Sequence, residues 1–88
     1  MKQDTEKTIV VFRKFKEGDI IALFPAIPNT ENTCLSYLHI GQHGGANYSH
    51  CIRATTPATP AEYDSLRREL EQIGYSLEIR KRYTEHHN

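Results

Sequence analysis

CLSYLHIGQHGGANYSHCIRA, residues 34–54, decides the fold, because its two adjacent glycines read as the turn between two strands. A tight hairpin turn demands positive φ at its central positions, and a glycine pair meets that demand without strain. Residues 34–40 and 48–54 are then paired strands closed at Gly44 and Gly45. In that register His39 faces His50, Tyr37 faces Ile52 and Gly41 faces Tyr48. Alternation along the strands sets Tyr37, His39, Tyr48 and His50 on one face and Leu38, Ile40 and Cys51 on the other. A slip of one residue would exchange the two faces.

The same stretch gathers the reactive side chains. Between Glu31 and Glu62 the only formally charged residue is Arg53, while both cysteines and three of the five histidines fall there. The candidate ligand-binding residues are therefore Tyr37, His39, His43, Gly44, Gly45, Tyr48, His50 and Arg53.

Upstream, TIVVF (8–12) is a β-branched run and reads as a strand. A turn follows at Lys16, Glu17, Gly18 and Asp19, and IIALF (20–24) is the return strand. Both strands are apolar at consecutive positions, so both faces should be covered. Pro25, Pro28 and Asn29 close the second strand and open a loop to about Thr33.

Downstream, Thr59 as N-cap, Pro60 at the first helical position and Glu62 three residues after the cap make a capping box. Tyr63, Leu66, Leu70 and Ile73 recur at helical spacing, and Gly74 stands where a left-handed C-cap belongs. Tyr75, Leu77 and Ile79 alternate with Ser76, Glu78 and Arg80, which predicts a last strand. Residues 1–7 and 84–88 are expected to be loose, leaving one domain over 8–83.

Length and charge bound the rest. A chain of 88 residues buries only about 60–65% of its unfolded surface, so one small core is expected. Eleven basic residues balance eleven acidic ones, five against five up to residue 44 and six against six after it. That balance argues against a nucleic-acid-binding tail, and the short Arg80, Lys81, Arg82 run reads as a solvated strand end. Charged residues at 2, 4, 6 and 7 with no long apolar run after them do not make a signal peptide or a membrane span. The expectation is a cytoplasmic protein with free thiols.

Three blocks, VVFRKFKEGDIIALFP (10–25), SYLHIGQHGG (36–45) and ATPAEYDSLRRELEQIGYSLEIR (58–80), resemble a set of short, uncharacterised bacterial and phage proteins. The resemblance implies a small intracellular protein of the kind encoded on mobile or viral genomes, and it brings no activity, cofactor or catalytic residue with it.

Strand geometry limits the chemistry open to residues 34–53. A closed zinc site takes four nitrogen or sulfur ligands, and this register converges only His39 and His50. Neighbours in a strand face opposite ways, so His50 cannot take the proton of Cys51, and no catalytic residue is expected. Glycine N–H groups at Gly41, Gly44 and Gly45, with Arg53 near and no acid inside the stretch, allow a small anionic or nucleotide-like ligand. A protein partner is the leading expectation, since this charge-poor, tyrosine-bearing stretch has interface composition.

The sequence thus predicts an α+β fold: a mostly antiparallel five-stranded sheet (ββββαβ) in the order 4-3-2-1-5, with one helix on one face and the last strand antiparallel to the first. One helix would leave Val11 and Ile21 on an uncovered side, which motivates a homodimer. The predicted function is a small non-catalytic binding or interaction protein, without cofactor or metal, and with neither nucleic acid nor membrane as partner.

Overall fold

The computed structural model describes residues 7–38 and 42–81. Of the ends expected to be loose, residues 1–6 and 84–88 fall outside that description, as do His39 and Gly41.

β1 (Thr8–Lys14) and β2 (Ile20–Thr30) form the expected antiparallel hairpin, in register from Val11 opposite Leu23 to Lys14 opposite Ile20. Gly18 takes φ 104° in the turn, a conformation costly for any residue with a Cβ. The turn is fixed by the Phe15 N–H on the Asp19 carbonyl and the Gly18 N–H on the Phe15 carbonyl, both at 2.9 Å. β2 does not end at the prolines. It runs on to Thr30 because the ladder skips from the Phe24–Leu35 pair to the Pro28–Cys34 pair, and an irregularity of this kind needs no N–H from Pro25 or Pro28. The turn to β3 (Thr33–Leu38) is correspondingly short.

The expected second hairpin keeps its first strand, β3, but takes a different return strand, and a helix follows it. β4 (Gln42–Ala46) carries Gly44 and Gly45 inside the strand, with Tyr37 opposite His43 and Ser36 opposite Gly44. Residues 48–54 are not a strand; they form α1 (Tyr48–Ala54). Asn47 starts it, its side-chain oxygen accepting the His50 N–H at 3.0 Å, an N-cap that satisfies a donor the helix leaves free. Tyr48, Cys51 and Ile52 then fall on one helical face and pack against the sheet.

β5 (Thr56–Pro57), α2 (Pro60–Ile73) and β6 (Leu77–Arg80) complete the chain. The sheet order is β4-β3-β2-β1, and the outer edge of β1 is shared: β5 pairs antiparallel with Arg13 and Lys14, β6 parallel with residues 8–11. The last strand lies beside the first as expected, but in the opposite direction. The cause is α1, which carries the chain to the C-terminal end of β1 before α2 begins. There Glu62 meets Lys14 at 2.7 Å, and at the other end the Thr8 N–H donates to the Ser76 carbonyl at 2.7 Å, so α2 runs back along β1 and β6 must leave parallel to it.

α2 has the expected capping box, with the Thr59 N–H on Glu62 Oε1 at 2.8 Å and the Glu62 N–H on Thr59 Oγ1 at 3.3 Å. It ends at Gly74, φ 127°. Leu66 and Leu70 are buried and Tyr63 stacks on Phe12 at 4.3 Å, but Ile73 is 52% exposed. Tyr75, stacked on Phe24 at 5.0 Å, closes that end of the core in place of Ile73.

The sheet is covered on both faces. Val10, Phe12, Ala22, Phe24 and Tyr37 pack under α2, and Val11, Ile21, Leu23 and Ala46 pack under α1, Phe15 and Leu38. The side expected to stay open is therefore closed, since Val11 and Leu23 are fully buried. No helix among the described residues is long and apolar enough to cross a membrane.

Candidate functional site

The candidate residues separate onto two sides of the sheet. Tyr37 and His43 lie on the α2 side, where the rings meet edge to face at 4.7 Å. The Tyr37 hydroxyl donates to Glu69 Oε2 at 2.5 Å, and His43 Nε2 shares a hydrogen with the Tyr75 hydroxyl at 2.9 Å. The bond to the Glu69 carboxylate, together with burial, pushes the Tyr37 phenol up to about 12. This is a closed polar network on the flank of the core. Tyr48 and His50 belong to α1 on the opposite side, which corrects the expected common face, and His39 lies outside the described residues.

Gly44 and Gly45 act as strand residues, for different reasons. A Cβ on Gly45 would collide with Asn29 Nδ2 and stand 3.1 Å from Thr33 Oγ1, so the close approach of β2 accounts for that glycine. Gly44 has neither a positive φ nor a crowded neighbour. Its nearest contact would be Ser36 Oγ at 3.8 Å, an ordinary van der Waals distance. What the missing side chain leaves is space.

That space belongs to an open groove of about 670 Å³ between α1, β4 and the β1–β2 turn. It is lined by the buried Ile21 and Ser36, the partly buried Phe15, Leu38 and Cys51, and the exposed Glu17, Asp19 and His50. Ser36 is 4% exposed, and its hydroxyl has no hydrogen-bond partner among the described residues. A buried hydroxyl normally finds one, so this one keeps its capacity to accept and to donate on the groove side. The volume is that of a small-molecule site.

The charge around the groove differs from the expectation. Arg53 does not line it, facing instead a separate concavity with Lys14 and Lys16. Two carboxylates, Glu17 and Asp19 from the β1–β2 turn, take its place. The Cys51 thiol is pushed up by burial, against a smaller downward pull from Arg13, so it stays protonated near neutral pH. Cys34 is likewise pushed up, by burial and then by the charge of Cys51. Both cysteines are free, and among the described residues no three His, Cys, Asp or Glu side chains are grouped to hold a metal ion.

One residue that builds the groove was hidden inside an apolar strand. Arg13 is 7% exposed and reaches the C-terminal end of α1. Its Nη2 donates to the carbonyls of Ile52 at 2.9 Å and Thr55 at 2.7 Å, and Nε donates to Thr55 Oγ1 at 2.9 Å. Thr55 Oγ1 in turn donates to the Cys51 carbonyl at 2.6 Å. The last carbonyls of a helix carry partial negative charge and lack partners, and a guanidinium supplies both needs. Arg13 thereby fixes α1, and with it the wall that holds His50 and Cys51.

A scan against protein-family models, a search of curated proteins and a search of solved structures found no match to this chain.

Proposed function

We propose that this is a small non-catalytic binding protein whose site is the groove between α1, β4 and the β1–β2 turn. The observation that carries the proposal is the buried hydroxyl of Ser36, without a hydrogen-bond partner among the described residues and next to the space left by Gly44. Catalysis is left out because Ser36 has no base bonded to it and the Cys51 thiol is held protonated, so neither is an activated nucleophile. A fragment screen read by amide-resolved NMR tests the site. Hits should move the amides of Ser36, Gly44, Ala46 and Cys51; hits confined to the α2 side around Tyr63 would refute the assignment.

A second reading, pairing of two copies, rests on the outer edge of β4. Gln42, His43, Gly44, Gly45 and Ala46 carry no formal charge and no proline, the usual guards of a sheet edge. β6, at the other side of the sheet, carries Glu78 and Arg80. An antiparallel β4–β4 contact centred on Gly44 would join two sheets about a twofold axis. Sedimentation velocity over a wide concentration range should then show a reversible dimer, and a monomer throughout would remove this reading.

A further inference from the structure

The groove's charge, floor and hydrogen-bonding capacity together specify a kind of ligand, and this inference rests on the groove being the binding site. Among the described residues, Glu17 and Asp19 are the only formally charged ones that line it, and no lysine or arginine does. Neither carboxylate takes part in any of the ion pairs formed among the described residues. Two unneutralised carboxylates at one rim raise the local concentration of cations and repel anions. The nearest basic side chain in sequence, Lys16, lines a different concavity.

Below the rim the chemistry changes. Phe15, Ile21 and Leu38 present apolar surface, and the protonated Cys51 thiol adds no charge. A group buried there must bring methylene or ring carbon, because a bare inorganic ion would forfeit its hydration without replacement. Ser36 is the most buried of the described residues that line the groove, and with no partner among the described residues its hydroxyl can both accept and donate. Gly44 leaves the approach to it unblocked.

We infer that the groove takes a small organic cation, a primary ammonium or guanidinium on a short apolar body, with its charge at Glu17 and Asp19, its carbon over Ile21 and Leu38, and a polar atom on Ser36. Such a ligand satisfies every feature that the fold leaves unsatisfied there. An anion meets two carboxylates, and an apolar molecule leaves Ser36 without a partner.

The experiment is an amide-resolved NMR titration with three probes of similar length: agmatine, glutarate and 1-pentanol. Agmatine should move the amides of Ser36, Gly44 and Cys51 saturably, while glutarate and pentanol leave them in place at equal concentration. The double substitution Glu17→Gln and Asp19→Asn, on an exposed turn held by backbone bonds, should weaken agmatine by about fivefold to tenfold. Added salt should weaken it in the same direction. If glutarate or pentanol binds the groove as well as agmatine does, or if the double variant binds agmatine undiminished, the cation inference is overturned while the groove stands. If no probe moves the groove amides of the wild-type protein, the groove itself is not the site and both conclusions fall.

Discussion

Replacing Arg13 by methionine keeps an unbranched apolar stem inside the sheet and deletes the guanidinium that caps α1. Three donated hydrogen bonds disappear, at 2.9, 2.9 and 2.7 Å, two of them to main-chain carbonyls of a buried junction. A hydrogen bond from a charged donor is worth about 1.5–3 kcal/mol net, so simple addition would give far too large a loss. Removing the side chain also removes the cost of burying an ion that has no carboxylate partner among the described residues, and that relief is several kcal/mol in the opposite direction. The balance is a destabilisation of about 2–4 kcal/mol, a large share of the stability of a domain this size. Urea unfolding followed by circular dichroism measures it, since the chain has no tryptophan. Native-state hydrogen exchange locates it: the α1 amides should lose protection before those of β1 and β2. Arg13→Lys retains the charge without the planar fork and should recover less than half of the loss. A methionine variant within about 1 kcal/mol of wild type, with α1 as protected as before, would refute the claim that Arg13 holds that helix in place.

Further outcomes follow from single contacts. Gly45→Ala should cost about 1 kcal/mol, because Asn29 must turn away, whereas Gly44→Ala should be neutral or stabilise by about 0.4–1 kcal/mol; urea midpoints compare them. Asn47→Ala removes the cap of α1 and should cost about 1 kcal/mol by the same assay. Tyr37 keeps its proton in the folded state up to about 12, against 10 when exposed, so the unfolded chain holds fewer protons between those values. Stability should therefore fall as pH rises through that window, and Glu69→Gln should return the phenol toward 10 in a difference ultraviolet titration against Tyr37→Phe.

Much of the architecture was legible because it is written locally. The hairpin announced itself by two apolar runs around Gly18, and α2 by Thr59, Pro60, Glu62 and Gly74. Residues 48–54 read as a strand because the Gly44, Gly45 pair suits a hairpin turn. Once they were spent there, the next residues had to be the return strand. The opposing signal was present: Asn47 is a strong N-cap, and Tyr48, Cys51, Ile52 and Thr55 follow at helical spacing. β4 gave no counterweight, because Gln42, His43, Gly44, Gly45 and Ala46 have poor strand propensity and are held as a strand by pairing with β3. The parallel pairing of β6 followed from the same missed helix.

The site was legible only in part. Gly44, Gly45, His43 and His50 do border the groove, through strand or helix backbone as well as side chain. Its charge was not, since Glu17 and Asp19 arrive from a hairpin turn that the chain places far away in sequence, and the sign of the expected ligand reverses with them. Ser36 looked like any strand serine until its face and its missing partner were known.

Gly44→Val tests the central claim most directly. A Cβ at this position stands 3.8 Å from Ser36 Oγ, an ordinary contact, and a β-branched residue suits a strand, so the fold should hold its unfolding midpoint while the side chain fills the groove beside Ser36. Agmatine, titrated by amide-resolved NMR into this variant, should no longer move the Ser36 and Cys51 amides. Undiminished binding by a folded Gly44→Val protein would contradict the assignment of the groove as the site.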